Sequence, residues 1–222
     1  MSNACQTSKL ILASSSLYRG EILNKLGLSY ESISPDIDES PLPAESPQAL
    51  VARLALAKAK AVAGITVARA TSAAKSTANA KGNPIDSNDT LLIIGSDQVA
   101  VLDNKIITKP HTHASACQQL RAASGREVTF LTSLCLYNSH TNAHQLTVVP
   151  YIVNFLPLTE GQIESYLKKE QPYDCAGSFK SEGLGITLFK SIQGDDPNTL
   201  MGLPLIELVK MLRKEGIDPL SA

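Results

Sequence analysis

Lys9-Leu10-Ile11-Leu12-Ala13-Ser14-Ser15-Ser16-Leu17-Tyr18-Arg19-Gly20-Glu21-Ile22-Leu23-Asn24-Lys25-Leu26-Gly27 decides the fold class. Its opening run from Lys9 to Ala13 is short and apolar, as in a strand buried on both faces. Three serines then turn the chain. From Arg19 the apolar residues fall at Ile22, Leu23 and Leu26, a helical spacing, and Gly27 stands where a helix stops. A buried strand that passes through a polar turn straight into a helix is the opening of an α/β unit.

The same alternation continues outward. Tyr30–Ser34 is expected to be a second strand, and Pro35–Pro47 a loop with an acidic centre. A helix is expected from Pro47 to about Ala63. Ser46 is its candidate cap, Pro47 its first residue, and Leu50, Val51, Leu54, Ala57 and Ala61 its apolar face. Residues 66–89 are rich in Ala, Ser, Thr and Asn and are read as a helix tail followed by a mobile surface loop. Thr90–Gly95 is expected to be a strand ended by its glycine. Val99–Leu102 and Lys105–Ile107 then form a hairpin about Asp103-Asn104. Ser115–Ser124 reads as a helix closed by Gly125. Glu127–Asn138 and His144–Phe155 read as two long antiparallel strands. Thr159–Lys169 reads as a helix with a capping box formed by Thr159 and Gln162. Ile186–Phe189 reads as a short strand. Leu203–Glu215 is the last helix, packing through Leu203, Ile206, Leu208, Val209 and Leu212. No internal repeat is present.

Composition narrows the function. The 222 residues carry 20 basic and 21 acidic side chains. This balance argues against a nucleic-acid polymer as partner, since such binders carry a basic excess, but it suits a small phosphorylated ligand. The cysteines at 5, 117, 135 and 175 form no C-x-x-C pair, and they read as reduced thiols of a cytoplasmic protein. The apolar runs at 10–13 and 91–94 are too short for a signal peptide or a membrane span. The whole chain, residues 1–222, is read as one domain with a surface insertion at about 66–89.

Five polar clusters sit at strand ends, where α/β sheets bind ligands. Ser14–Arg19 offers hydroxyls, a helix start and a guanidinium, and is either a phosphate cradle or an ordinary helix cap with a surface arginine. Asp36-Ile37-Asp38-Glu39-Ser40 could hold Mg²⁺ or could simply be a solvated acidic loop. Gly95-Ser96-Asp97-Gln98 follows an apolar strand, so Asp97 is placed as metal ligand, general base or turn former. Lys109, in Thr108-Lys109-Pro110, could neutralise a phosphate. Ala176–Gly183 and Gly194–Thr199 are glycine-rich and polar around the Ile186–Phe189 strand, as in a binding site. The histidines, His111 and His113 in a loop and His140 and His144 in a hairpin turn, give little sign of a metal site.

Taken in order, these segments resemble the Maf family of nucleotide pyrophosphatases. The likeness runs through L-I-L-A-S-S-S-L-Y-R (10–19), D-I-D-E-S (36–40), R-L-A-L-A-K-A (53–59) and I-I-G-S-D-Q-V (93–99). It continues in T-K-P (108–110), C-A-G-S-F-K-S-E-G-L-G-I (175–186) and D-P-N-T-L-M-G-L-P-L (196–205). The resemblance implies an elongated mixed sheet with flanking helices and a cleft between two lobes, a fold like that of the Maf and inosine triphosphatase proteins. It also implies a homodimer, a divalent cation, Mg²⁺ or Mn²⁺, and a nucleoside triphosphate substrate. By the same resemblance Asp97 is the catalytic acid or base, and Asp97 with Glu39 holds the metal. Ser14, Arg19, Lys58 and Lys109 bind the substrate, while Tyr18, Gln98 and Glu182 choose the base. S-D-Q in place of A-D-T, together with S-F-K-S-E-G, is similar to the branch acting on 7-methylguanosine triphosphate. Other readings in view are a dTTP and UTP pyrophosphatase of the same family, and a nucleotide-binding cell-division regulator without turnover. The family's serine loop usually carries a proline and a second arginine, where this chain has Leu17 and Gly20.

Overall fold

The computed structural model describes residues 8–75 and 90–221, without the side chains of 69–75. The mobile loop expected within 66–89 lies largely outside the described residues. The helix before it is longer than its apolar face suggests.

In chain order the elements are β1 (Ser8–Leu12), α1 (Leu17–Asn24), β2 (Tyr30–Ser32), α2 (Pro47–Lys75), β3 (Thr90–Leu102), β4 (Lys105–Ile107) and α3 (His113–Ala123). Then come β5 (Glu127–Asn138), β6 (His144–Phe155), α4 (Glu160–Glu170), β7 (Phe189–Gln193) and α5 (Leu205–Lys214). The strands form one mixed sheet of order β2-β1-β3-β5-β6-β7, with β4 added on β3. β1 is parallel to β2 and to β3, and the remaining pairs are antiparallel. Asp103 and Asn104 both have positive φ, as a two-residue turn of the expected hairpin requires.

The sequence and the structure part company at β3. The strand does not end at Gly95; it runs unbroken from Thr90 to Leu102, in continuous register with β5 from Leu92 to Val101. The polar Ser96-Asp97-Gln98 thus lies in mid-strand and not at a strand end. On the opposite edge the partner changes. β1 pairs only as far as Ile94, and β4 begins only at Ala100. The ladder is therefore open on one side from Gly95 to Val99, and Asp97 and Gln98 of this open stretch line the cavity described below.

Alternation along β3 sorts the core. Leu92 and Ile94 pack with α1 and α5 through Ile22, Leu23, Leu208 and Leu212. Ala100 and Leu102, further along, pack with α3 and α4 through Leu120, Ile163 and Leu167 and with the rings of Phe130, Phe155 and Phe179. Leu91 and Ile93 face α2 through Ala55, Ala59 and Val62. On the face of Leu92 and Leu102 two of these core regions thus share the same long strands, and Ser96 and Gln98 fall between them. This is the expected two-lobed cleft.

α2 meets β3 at Gly95. A Cβ there would stand 2.1 Å from the Ala55 carbonyl oxygen, so only glycine admits the helix this closely. The buried seam of α2 runs through Leu50, Val51, Leu54, Ala55, Lys58, Ala59 and Val62. Ala57 and Ala61, expected on that face, are only half-buried, because the seam is built around a lysine that apolar pattern-matching passes over.

Three smaller expectations also shift. His113 opens α3 and does not sit in a loop, because Thr112 caps the helix one turn earlier than Ser115. Residues 184–188 form a 3-10 turn, and the strand begins at Phe189. Ile206 is exposed, and Leu205 and Met211 take its place in the core.

Candidate active site

Asp97 lies on the α2 side of β3, two residues beyond Gly95. Lys58 lies one helical turn beyond Ala55, the residue that touches Gly95. The close approach of helix and strand therefore brings the two side chains together. Lys58 Nζ donates to Asp97 Oδ1 at 2.7 Å and lies 2.8 Å from Glu39 Oε1. Lys58 is 6 % exposed and Asp97 7 %. Burial pushes the Asp97 carboxyl above its ordinary range, against the pull of the Lys58 ammonium and Arg19. Ser133 on β5 fixes the backbone at this point. Its hydroxyl accepts from the Asp97 N–H at 3.1 Å and donates to the Val51 carbonyl at 2.7 Å.

The other face of β3 carries Ser96 and Gln98, which the segment 199–202 crosses. Ser96 Oγ donates to the Gly202 carbonyl at 2.8 Å, and Gln98 Nε2 to the Thr199 and Leu200 carbonyls at 2.9 and 3.2 Å. Asp196 is buried and braces that segment, accepting from the Asn198 and Ile206 N–H groups. The polar D-P-N-T cluster is thus mainly a scaffold, and its contribution to the cavity wall comes from Leu200, Met201 and Gly202 just beyond it.

The serine loop supplies the third wall. Ser16 caps α1, and Ser14 Oγ accepts the Ser16 N–H at 3.0 Å. Arg19 Nε donates to the Gly202 carbonyl at 2.9 Å, with Nη1 3.5 Å from Ser14 Oγ. Desolvation draws the Arg19 guanidinium below its ordinary value, although Asp97 and Glu39 pull it back. Where the related loop carries a second arginine, Gly20 lies under the Tyr30 hydroxyl, which donates to the Gly20 carbonyl at 2.9 Å.

All nine residues singled out in the sequence, Ser14, Tyr18, Arg19, Glu39, Lys58, Asp97, Gln98, Lys109 and Glu182, line one cavity of about 560 Å³. That is the size of a site for a small organic ligand. Tyr18 is 46 % exposed at the rim, and Lys109 and Glu182 are exposed. Asp36 and Asp38 of the acidic loop do not line the cavity; Asp38 accepts the Ser40 N–H instead.

Sequence reasoning did not single out Asp174, Cys175, Phe179 or Lys180, which also line the cavity. Phe179 is held by edge-on contacts with Phe130, Phe155 and Phe189. Ser178, at positive φ, is tied to Gln119 by its hydroxyl at 2.5 Å. The glycine-rich 176–183 segment was the available signal. Its cation and ring become visible only when that loop is folded over β5.

The chemistry of this cavity is that of a polyphosphate site. Cations from three segments face a pair of carboxylates that already share one ammonium. Two such hard oxygen donors suit Mg²⁺ or Mn²⁺, which take few carboxylates and complete their shell with phosphate and water.

Comparison with known proteins agrees with this chemistry. The family model described as Maf-like protein matches residues 9–215. A 7-methyl-GTP pyrophosphatase of Nitrosococcus oceani is 54% identical over 93% of this chain and 93% of its own length. Proteins of the same name from Pseudomonas aeruginosa and Pseudomonas fluorescens are 50% and 52% identical, over 94% of this chain and 97% of theirs.

Proposed function

The chain belongs to the Maf-like protein family, and from that premise we propose that it is a nucleoside triphosphate pyrophosphatase. The reaction converts 7-methyl-GTP to 7-methyl-GMP and pyrophosphate. The observation that supports this reading best is the convergence of Asp97, Lys58, Glu39, Arg19 and Ser14 in one cavity.

Water attacks the α-phosphorus, the bond from that phosphorus to the bridging oxygen breaks, and pyrophosphate leaves with the electron pair. Asp97 takes the water's proton. A carboxyl raised by burial is a better base at neutral pH than a solvated one. Lys58 engages Oδ1 of Asp97, which leaves Oδ2 as the oxygen for that proton. Arg19, Lys58 and Lys109 offset the charge that grows on the leaving pyrophosphate. Ser14 and the start of α1 hold a phosphate oxygen. Asp97 and Glu39 are the residues that would hold Mg²⁺ or Mn²⁺, an ion that when bound polarises phosphate oxygens and water.

Base choice falls to Tyr18, Gln98 and Glu182. Methylation at guanine N7 makes the base cationic, so an aromatic face and a carboxylate both favour it. Gln98 Nε2 is already committed to backbone carbonyls, so the Gln98 carbonyl oxygen is the end we assign to the ligand side. The enzyme acts in the cytoplasm, as a homodimer. Among the described residues no helix is long and apolar enough to cross a membrane.

The test is pyrophosphate release by the purified protein over a panel of canonical and modified triphosphates. 7-Methyl-GTP is hydrolysed fastest, and Asp97→Asn lowers that rate at least tenfold with an unchanged circular dichroism spectrum. Fastest release from dTTP or UTP would place the chain in the other branch. Tight nucleotide binding without any release would make it a sensor.

A further inference from the structure

Among the described residues, one cluster of ligating side chains stands apart from the cavity. His113 and Cys117 are four residues apart on α3 and so share a face. Glu164 reaches them from α4. His113 Nε2 lies 3.2 and 3.1 Å from the two Glu164 oxygens, and Cys117 Sγ lies 3.3 Å from Oε1. One ligand atom from each residue lies within 4.8 Å of the other two. Zinc bonds of about 2.0–2.3 Å in a tetrahedron put neighbouring ligand atoms about 3.3–3.6 Å apart. The contacts of Glu164 with His113 and with Cys117 are therefore already close to coordination spacing, and the third edge lies within 4.8 Å.

The surroundings fit. His113 Nδ1 lies 3.0 Å from the Tyr173 hydroxyl, which can accept the Nδ1 proton and leave the Nε2 lone pair facing Cys117 and Glu164. Metal-bound imidazoles are commonly oriented this way. Lys168 Nζ, 3.8 Å from Glu164, opposes a cation, but its side chain is 74 % exposed and can turn into solvent. None of the three candidate ligands lines the substrate cavity.

We propose that His113, Cys117 and Glu164 form a binding site for one divalent ion of the zinc class, which pins α3 to α4. A thiolate and an imidazole select zinc or cobalt over magnesium, so the site is chemically distinct from the carboxylate pair at Lys58. On binding, the thiol proton leaves to solvent, the imidazole proton rests on Nδ1 toward the Tyr173 hydroxyl, and the metal takes the thiolate and the Nε2 lone pair. The fourth position stays open to water. The site also braces the cavity wall. The His111 N–H donates to the Tyr173 carbonyl at 2.9 Å, joining the segment after Lys109 to the one before Asp174 and Cys175.

The test is a Co²⁺ titration of the full-length protein, followed by absorption. A thiolate-to-cobalt charge-transfer band grows and saturates at one equivalent, and Zn²⁺ bleaches it. The band persists in Cys175→Ser, whose thiol lines the other cavity, and vanishes in Cys117→Ser. His113→Asn, which keeps the thiol and so stands if the serine variant misfolds, weakens Co²⁺ at least tenfold. Tyr173→Phe weakens it about tenfold. The proposal is overturned if the wild-type protein gives no thiolate band, if the band survives loss of Cys117, or if His113→Asn leaves the affinity unchanged. In those cases the three residues are only a hydrogen-bonded link between helices.

Discussion

Lys58→Met removes the ammonium from between Asp97 and Glu39 while keeping most of its volume. Glu39 contributes little to the cost, since its side chain is 58% exposed and solvent screens such pairs. Asp97 decides the outcome. At 2.7 Å and an effective dielectric constant of about 20, the lost Coulomb attraction is about 6 kcal/mol. Desolvation of the lysine, now relieved, offsets part of it, and removing one partner of a buried pair typically costs about 3–5 kcal/mol. The orphaned carboxylate can escape that cost by taking a proton. The cost then appears as a further rise of the Asp97 carboxyl, beyond the rise that burial already imposes. The sign follows. A carboxyl whose folded pKa is raised destabilises the fold once pH exceeds its unfolded value, and the deficit grows until pH passes the folded value. Urea unfolding should therefore show Lys58→Met nearly as stable as wild type at about pH 5 and weaker by about 3–5 kcal/mol at about pH 8. Adding Asp97→Asn should recover at least about 2 kcal/mol of that deficit at the higher pH. An equal deficit at both pH values, undiminished in the double variant, would refute the account of a buried, mutually dependent pair.

Gly95→Ala forces a Cβ to within 2.1 Å of the Ala55 carbonyl. Backbone cannot swing away as a side chain can, so unfolding experiments should show a loss of about 3 kcal/mol or more, with turnover falling as Lys58 is displaced. Tyr18→Ala should lower kcat/KM for 7-methyl-GTP relative to GTP about tenfold, and Glu182→Gln should shift the ratio the same way. Equal losses on both substrates would assign these residues to general positioning. Arg53 holds the Glu45 carboxyl down to about 2, well below its ordinary 4.5. Its contribution to stability is thus present above pH 4.5 and lost as pH falls towards 2. Arg53→Ala should flatten the acid limb of the stability curve in that window, and an unchanged limb would remove the pair from the account.

The legible parts of the fold were those where one signal acted alone. β5 and β6 were placed to the residue, because each is a long strand bounded by turn chemistry. The box of Thr159 and Gln162 marked the start of α4. β3 was misread because a glycine and three polar residues look like a strand end. What carries the strand through is the register of β5 and the helix pressing on Gly95, both contributed by distant segments. The residues singled out from ordered motifs do line one cavity. Their physical logic was not legible, since a lysine on the buried face of α2 makes sense only once Asp97 is seen opposite it. Phe179 and Lys180 were hidden for a related reason: nothing local shows that 176–183 folds over β5.

The open stretch of β3 has a consequence for how this pocket can change. Asp97 stands on a strand whose far edge is fully laddered to β5, so shifting it means breaking several backbone hydrogen bonds at about 1 kcal/mol each. The floor of the cavity is in that sense a fixed datum. Ser14–Arg19, Asp174–Glu182 and Leu200–Gly202 form the rim, and none of them belongs to a strand. Adaptation to a larger or smaller base, whether by ligand-induced fit or by inherited substitution, must be borne by that rim. What the cavity admits can thus change at its rim while Asp97 stays where the sheet has set it.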